Sequence, residues 1–337
     1  MTSIDDVARA AGMSTATVSR ALRGLPNVSD ATRARIRDIA DELGYVASSN
    51  ASGLASGRTD TLGVVVPSVS RWFYTTVLEG VDAALREAGF DMILYNLASR
   101  DGDRERAFHR SLLRKRTDAL IAIGVDFTDP ERAQLLSVGH PIVAIGGPVP
   151  GIRNIGVDDR AVARLATEHL IGLGHRDILH LGGADDEGLN KRLPVDRRQG
   201  FLDAMEAAGL PVRDEWLLTG KFSPEVSRQV MAEVFANGPR PTAVFASSDE
   251  MAFGVMLAAQ QGGLRVPDDL SVIGIDDHDM SASFGLTTVA QDPYEHGMLG
   301  ARLLLNELRD GEPARRAGLR ADYELLVRGS TGPAPLG

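Results

Sequence analysis

The sequence predicts an α/β fold, with two doubly wound parallel sheets that follow a small N-terminal head of three helices containing a helix-turn-helix unit. Three observations favour this fold class. The first 58 residues form short amphipathic helical patterns. From Thr61 onward, short β-branched runs alternate with amphipathic helical stretches, which is the pattern of parallel sheets covered by helices on both faces. The alternation is long enough, in 337 residues, for two such units.

Charge is distributed unevenly along the chain, whose formal net charge is −10. The first 58 residues contain seven arginines and six acidic residues, so the head carries +1 and the remainder −11. Because the acidic bulk repels nucleic acid, any contact with DNA should be confined to the head and the segment directly after it.

Composition excludes several classes of protein. The chain has no cysteine, so disulfides and thiol chemistry are excluded. No run approaches the roughly 18 apolar residues of a membrane span, and the N-terminus lacks a signal pattern. We expect a cytoplasmic, nucleoid-associated protein.

The first two predicted helices are joined by a tight turn at Gly12. Apolar residues form one face of each helix: Ile4, Val7, Ala8, Ala11, Val18, Ala21 and Leu22. Ser14 is placed to cap the second helix. Its outward residues are therefore Thr15, Ala16, Thr17, Ser19 and Arg20. Arg bonds guanine bidentately, Ala or Thr contacts a thymine methyl group, and Ser or Thr holds phosphates.

Ser29 is expected to cap a third helix, from Asp30 to Leu43, which Gly44 ends. Three helices make the smallest bundle that covers one core. Arg33, Arg35 and Arg37 project from it, either as a solvated face or as phosphate contacts. Any short helical hairpin shares some of these features, so the helical pattern alone does not establish DNA binding.

The core contains ten strand-like runs: Leu62–Pro67, Met92–Asn96, Ala119–Gly124, Ile142–Gly146, Ile155–Asp158, Ile178–Gly182, Trp216–Thr219, Ala243–Ser248, Val272–Asp276 and Thr287–Gln291. Helical runs separate them: Val77–Ala88, Ala161–Leu173, Arg198–Ala208 and Glu250–Gln261. In such folds ligands bind beyond the carboxyl ends of the strands.

Candidate ligand-binding residues lie at those strand ends and at the helix starts, where Arg197 is expected to open a helix. They are Phe73, Tyr74, Asp158, Arg197, Phe222, Ser248, Asp276 and Gln291. Aromatic faces with carboxylates, a guanidinium and an amide suit a polyhydroxylated ligand, because rings stack on C–H faces while hydroxyls find donors and acceptors. The alternative is that an Asp at a strand end only caps the next helix.

Ordered motifs run through the whole chain. In the head they are Asp6-Val7-Ala8, Ser14-x-Ala16-Thr17-Val18-Ser19-Arg20, Val28-Ser29-x-x-Thr32-Arg33 and Leu43-Gly44-Tyr45. In the core they include Glu168-His169-Leu170-Ile171, Arg197-x-x-Gly200-Phe201, Ser248-Asp249-x-Met251-Ala252-x-Gly254 and Asp269-Leu270-Ser271-Val272-Ile273-Gly274-x-Asp276-Asp277. This set resembles the lactose/galactose-repressor (LacI/GalR) family of bacterial transcription regulators over residues 3–331.

The resemblance implies a DNA-binding head at 1–47, a hinge at 48–59 and a periplasmic-binding-protein-like effector and dimerisation core at 60–337. The core would divide into an N-subdomain of about 60–159 and 290–320 and a C-subdomain of about 160–289 and 321–331. In the family, residues matching Thr15, Ala16 and Arg20 face operator bases. The residue matching Leu54 enters the minor groove from a hinge helix, and Ala51 and Ala55 would let two hinges approach.

The resemblance also implies an effector cleft, often around a sugar, lined by the positions of Phe73, Asp158, Arg197, Phe222, Ser248, Asp276 and Gln291. Effector binding would rotate one lobe on the other and melt the hinge helices. This chain departs from the family pattern at several places. Ala47 and Gly53 replace a usual Pro and Arg, Asp159 stands where Asn is common, and Arg71-Trp72 replaces a frequent Asn-Pro.

Two other functions fit the sequence less well. An enzyme is disfavoured because the seven histidines show no metal-ligand spacing and no nucleophile or nucleotide motif is present; no cofactor or metal is expected. A sugar-binding protein without a DNA role would not need the head. We expect a homodimeric repressor that binds a pseudo-palindromic operator in double-stranded DNA under the control of a small effector, which we expect to be a sugar. An activator or corepressor-dependent regulator of the same architecture remains open.

Overall fold

The computed structural model describes residues 2–22, 24, 26–45, 58–97, 116–184, 192–311 and 318–335. They form two compact units, residues 1–60 and 61–337. Among the described residues, no helix has both the length and the apolar character that a membrane span requires.

The first unit is a bundle of three helices, α1 (Ile4–Ala11), α2 (Thr15–Leu22) and α3 (Asp30–Glu42). Ser3 caps α1 in a capping box with Asp6, and Gly12 ends it with φ +69°, a conformation that glycine adopts without strain. The small core holds Val7, Ala8, Ala11, Val18, Ala21, Ile36 and Ala40. The helices therefore form where the sequence predicts them, although α3 ends one residue before Leu43.

The second unit contains two six-stranded sheets. Its elements, in chain order, are β1 (Thr61–Val66), α4 (Trp72–Ala88), β2 (Asp91–Asn96), β3 (Ala119–Ile123), α5 (Asp129–Val138), β4 (Ile142–Ile145), β5 (Arg153–Gly156), α6 (Asp159–Gly172), β6 (Ile178–Gly182), α7 (Arg192–Ala207), β7 (Leu217–Thr219), α8 (Pro224–Asn237), β8 (Ala243–Ala246), α9 (Asp249–Gln261), β9 (Ser271–Asp276), β10 (Thr287–Ala290), α10 (Pro293–Asp310), β11 (Leu319–Arg320) and β12 (Glu324–Leu326).

The two sheets repeat one topology. The first has the order β11-β5-β4-β3-β1-β2 and the second β12-β10-β9-β8-β6-β7. All pairings are parallel except that of β12 with β10. In each sheet the strand order reverses beside its first strand, so a crevice opens between β1 and β3 and another between β6 and β8. The predicted fold class, α/β with two doubly wound parallel sheets behind a helix-turn-helix head, is confirmed.

Three connections join the sheets: 157–158, 291–292 and 321–323. The first leads from β5 to α6, which packs on β8, β9 and β10 of the second sheet. The next returns from β10 to α10, which packs on α4 and on strands of the first sheet. Residues at these connections are therefore placed between the two sheets.

Glycines let neighbouring helices approach closely at specific points. A Cβ atom on Gly200 of α7 would lie 2.2 Å from the carbonyl oxygen of Arg160 on α6. A Cβ atom on Gly297 of α10 would lie 2.1 Å from the carbonyl oxygen of Val77 on α4. Both distances are too short for any side chain, so glycine is required for the close packing of these two helix pairs.

Two helices begin more than one turn earlier than predicted. α4 begins at Trp72 rather than Val77, so Phe73 and Tyr74 lie on its first turn. α7 begins at Arg192, so the expectation that Arg197 opens a helix is wrong. Pro194 lies in the first turn of α7, where its missing N–H removes no helical hydrogen bond, and the helix extends upstream of the apolar pattern that predicts it.

Candidate functional site

The head presents one face of α2 to solvent. Thr15, Ala16 and Arg20 are exposed, whereas Thr17 and Ser19 are half-buried. Val18 and Ala21 hold the opposite face in the core of the head. A helix with exposed hydroxyls, a methyl group and a guanidinium on one side has the donors and apolar contacts that read base edges in a major groove.

Two serines of the head act as helix caps. The Ser14 hydroxyl accepts the backbone N–H of Thr17 at 3.2 Å and bonds the Thr17 hydroxyl at 2.9 Å. The Ser29 hydroxyl accepts the backbone N–H of Thr32 at 3.3 Å. These bonds satisfy N–H groups that the first turn of each helix leaves open. The predicted hinge residues Ala51, Leu54 and Ala55 lie outside the described residues.

In the second unit, the carboxyl ends of the two sheets contact each other through residues that come after β1. Arg71 donates from Nη1 to the carbonyl oxygen of Phe222 and from Nη2 to that of Lys221 at 3.0 Å. The Trp72 ring packs on His278, with ring centroids 4.8 Å apart. The space between the carboxyl edges of the two sheets, called the cleft below, is thus bridged by Arg71-Trp72, the pair that departs from the family pattern.

Arg197 lies at the centre of the polar cluster in this cleft, and its side chain is only 3% exposed. Its Nε donates to Oδ1 of Asp159 at 2.8 Å, and its Nη1 donates to the carbonyl oxygen of Ser247. Nη2 lies 3.8 Å from Oδ1 of Asp276. A buried guanidinium needs such partners, because an unpaired charge away from water is strongly destabilising.

Asp276 ends β9 with a φ of +120°, a strained backbone conformation for a residue that is not glycine. Its Oδ1 accepts a hydrogen bond from Nε2 of Gln291 at 2.7 Å. Burial raises the pKa of Asp276 to about 6, against the opposing effects of Arg197 and Gln291. The structure therefore brings three predicted residues together: Arg197, Asp276 and Gln291.

Asp158 and Asp159 begin α6 but have different partners. Asp158 caps the helix by accepting the backbone N–H of Ala161 at 3.1 Å, and its Oδ2 lies 3.2 Å from Nη2 of Arg320. It is Asp159 that pairs with Arg197, and burial raises the pKa of its carboxyl while Arg197 opposes the rise. Asp159 was absent from the predicted set, although its place at a helix start after a strand is the signal that selected Asp158.

Phe73 and Tyr74 face the first sheet. Their rings meet edge to face with centroids 5.8 Å apart. Tyr74 lies so close to Gly124, after β3, that a Cβ atom there would be 2.7 Å from its ring, and the Phe73 ring lies against Gly146, after β4. The two aromatic side chains therefore cover the crevice between β1 and β3 and the carboxyl end of the neighbouring strand β4.

Phe222 lies on the side of the second sheet with a left-handed φ of +49°. Its ring lies directly over Gly183, after β6, where a Cβ atom would be 2.0 Å from a ring carbon. The guanidinium of Arg71 sits 5.5 Å from the centre of the same ring. The aromatic ring is thus held between the glycine of one sheet and the arginine that comes after β1 of the other.

Ser248 and its two neighbours link the cluster to the sheet. Ser248 caps α9 by accepting the backbone N–H of Met251 at 3.3 Å and is buried. The Ser247 hydroxyl bonds Nε2 of His180 at 3.0 Å. Burial lowers the pKa of His180 to about 3, so its ring is neutral. The Ser247 hydroxyl therefore bonds an uncharged ring, while the Ser247 carbonyl oxygen accepts from Arg197.

The Asp249 carboxyl, at the start of α9, is buried. Oδ2 accepts the N–H of His278 at 2.9 Å and the hydroxyl of Ser281 at 2.6 Å, and Oδ1 accepts the hydroxyl of Thr288 at 2.7 Å. These bonds hold the turn after β9 and hence the strained backbone at Asp276. Among the described residues, no cluster of His, Asp or Glu has an arrangement that could hold a metal ion.

Comparisons with known proteins find a matching family model for the head and another for the core. A family model described as bacterial regulatory proteins, lacI family, matches residues 3–48, and one described as a periplasmic binding protein-like domain matches residues 167–331. The HTH-type transcriptional repressor PurR of Vibrio parahaemolyticus is 33% identical over 333 residues, which cover 97% of this chain and 98% of its own. The chain belongs to the lacI family of bacterial regulatory proteins.

Solved structures of this family agree. The transcriptional regulator CelR–cellobiose complex is 30% identical with a TM-score of 0.71, covering 98% of this chain and 100% of its own. The lac repressor dimer bound to operator and the anti-inducer ONPF is 26% identical with a TM-score of 0.84, covering 98% and 99%. The lacI-family chain is thus a DNA-binding transcriptional repressor and not an enzyme.

Proposed function

We propose that this lacI-family repressor binds a pseudo-palindromic operator as a homodimer, and that a sugar bound between the carboxyl edges of its two sheets controls that binding. The observation that carries the proposal is the position of the Arg197 cluster. Gln291 lies in one connection between the sheets, Asp159 comes directly after another, and Arg197 and Asp276 lie in the second sheet's half of the core. A ligand bonded to this cluster therefore acts on the relative position of the sheets.

The chemistry of the cluster supports a polyhydroxylated ligand. Asp276 and Asp159 can accept O–H hydrogen bonds, and Arg197 and Gln291 can donate N–H hydrogen bonds to hydroxyl oxygens. Phe73 and Tyr74 are the rings that we assign to contacts with C–H groups, and Phe222 would join them once Arg71 leaves its ring. The related CelR structure contains cellobiose, which is consistent with this chemistry.

The proposed operator contacts are inferred from the exposed face of α2. We assign base contacts to Thr15, Ala16 and Arg20, supporting contacts to Thr17, Ser19 and Ser29, and the minor-groove wedge to Leu54 between Ala51 and Ala55, as the family resemblance implies. Two heads reading two half-sites require a two-fold dimer. The related lac repressor structure is a dimer on its operator.

The DNA-binding half of the proposal is tested by Arg20→Ala. A lost bidentate contact to guanine should reduce operator affinity by about 1–3 kcal/mol. Affinity would be measured by fluorescence anisotropy at one fixed salt concentration, on the DNA upstream of the repressor's own gene and of neighbouring genes.

Arg9→Ala is the matched control. Arg9 is an exposed arginine of α1, paired with Asp6 at 2.9 Å, and its removal deletes the same charge from the head. A base contact predicts a much larger loss for Arg20→Ala than for Arg9→Ala. Equal losses would mean that Arg20 contributes only charge, and the assignment of α2 as the base-reading helix would be wrong.

A further inference from the structure

The charges around Arg197 limit which ligands the cleft can accept. One buried guanidinium faces two carboxylates: Asp159 at 2.8 Å and Asp276 at 3.8 Å. All three side chains are at most 13% exposed, so water screens them little. The cluster by itself therefore has an excess of negative charge.

More carboxyl groups surround this cluster. The buried Asp249 and the half-buried Glu250 both feel the negative charge of Asp276, which acts with burial to raise the pKa of Asp249 to about 8 and that of Glu250 to about 7. The positive charge that opposes this effect at Glu250 is Arg71, which is also bonded to the backbone of Phe222. With its pKa near 8, Asp249 stays protonated at neutral pH, so the negative charge directly beside Arg197 is that of Asp159 and Asp276.

An anion and an uncharged polyol would interact with this cluster in opposite ways. A phosphate or carboxylate would have to displace Asp159 from Arg197 or lie beside two carboxylates in a poorly solvated site, and either arrangement leaves a buried charge unpaired. A hydroxyl can donate to Asp159 or Asp276 and accept from the guanidinium hydrogens that Asp159 and Ser247 leave open.

We infer that the cleft accepts uncharged polyhydroxylated ligands and excludes phosphorylated or carboxylated ones, and that Asp159 is the residue that sets this selectivity. The inference rests on the proposed function, because it concerns the effector at the same site. It assigns the charge class of the ligand and names the residue that determines it. Gly200, which lets α7 approach α6, brings Arg197 within reach of that residue.

Asp159→Asn tests the inference because it keeps the shape of the side chain and removes its charge. The probes are inorganic phosphate and two matched pairs, glucose with glucose 6-phosphate and ribose with ribose 5-phosphate. Binding to the full-length dimer would be measured by isothermal titration calorimetry at constant ionic strength. Wild type should bind neither phosphate nor the phosphorylated sugars saturably, and Asp159→Asn should gain affinity for them by about tenfold or more.

Two further variants separate the explanations. Asp268→Asn removes the same charge at the surface, where Asp268 pairs with Arg265 at 3.0 Å, so this change should leave anion binding as in wild type. Adding Arg197→Gln to Asp159→Asn should abolish the gained affinity. If Asp159→Asn does not fold, Asp276→Asn removes the second carboxylate and should give a smaller gain in the same direction.

Different results would overturn the charge selectivity of the cleft and the proposed sugar effector. A wild-type protein that binds a phosphorylated sugar as tightly as its neutral parent overturns the inference, as does an Asp159→Asn variant that gains no anion affinity. The phosphate titrations need no sugar and so decide the selectivity alone. Failure of every neutral sugar to bind contradicts instead the proposed sugar effector.

Discussion

Asp249 is a buried carboxyl that holds the strained backbone after β9. It accepts three hydrogen bonds from the turn after β9 and from β10, and Gly274 is required beneath it, because a Cβ atom there would lie 2.1 Å from Oδ1. The backbone that it holds includes Asp276 and Asp277, whose φ angles are +120° and +58°. Strain of this kind persists only where the surroundings enforce it.

At this scale we predict that Asp249→Asn flattens the dependence of stability on pH. Burial, together with the charge of Asp276, raises the pKa of Asp249 from 3.8 to about 8. The folded chain therefore keeps a proton that the unfolded chain releases, and the free energy of unfolding falls as pH rises from about 4 to about 8. Asn does not titrate, so the variant should lose about 2–4 kcal/mol less than wild type between about pH 5 and pH 8.

Urea denaturation at a series of pH values measures this difference. Asp268→Asn is the control, because it removes a carboxylate paired with Arg265 at the surface, where its side chain is 61% exposed. It should keep the pH dependence of wild type. An Asp249→Asn variant with an unchanged slope would show that Asp249 is ionised in the folded repressor and would refute the prediction.

At the scale of elements, the sequence predicts the strands better than the helix starts. All ten predicted strand runs form strands, because each is a short, mainly apolar run bounded by polar or turn-forming residues. The sequence places the start of α4 too late, since Arg71 before it makes no side-chain cap hydrogen bond, and the start of α7 too late because that helix begins before its apolar pattern. The two-residue strand β11 exists only through its pairing with β5, which no local pattern encodes.

The sequence predicts which types of residue form the candidate site, but not which side chains pair with each other. Position at the strand ends selected Arg197, Asp276 and Gln291, which the structure places together. The same criterion selected Asp158, but the residue that pairs with Arg197 is Asp159. Two neighbouring aspartates at a helix start have the same sequence signal, so the pattern does not distinguish them. Only the close packing of α7 on α6 decides which of the two carboxylates meets the guanidinium.

We therefore predict that Gly200→Ala lowers both stability and ligand affinity. Its Cβ atom would lie 2.2 Å from the Arg160 carbonyl oxygen, so α7 must move away from α6 and carry Arg197 away from Asp159. Overpacking of this kind costs about 1–3 kcal/mol, which urea denaturation would detect. Calorimetry with the sugars would detect the weaker binding.

Gly172→Ala is the control for this prediction. Gly172 ends α6, and a Cβ atom added there would meet nothing within 4 Å. The control should raise stability by about 0.5–1 kcal/mol, since alanine loses less conformational freedom than glycine in a helix. A Gly200→Ala variant as stable as Gly172→Ala would contradict the close approach of the two helices.

The whole molecule joins a DNA-binding head to a core of two sheets, to which we assign the binding of the effector. The Arg197 cluster lies on the second sheet's side, where Asp159 and Gln291 adjoin connections that lead to the first sheet, and Arg71 bonds from one carboxyl edge to the other. A ligand can shift operator affinity only by binding the two arrangements of the sheets with different affinity. Thermodynamic linkage then requires that the operator change the affinity for the ligand by the same factor.

The coupling between ligand and operator is the central claim, and fluorescence anisotropy tests it most directly. Operator affinity would be measured at fixed salt concentration with and without glucose, ribose and cellobiose, and the affinity for the active sugar would be measured with and without operator. We predict that one neutral sugar changes operator affinity by about 1–3 kcal/mol and that the reciprocal change is equal. A fall in operator affinity identifies an inducer, and a rise identifies a corepressor. Operator affinity that no ligand changes, or a sugar that binds equally well with and without operator, would contradict the coupling.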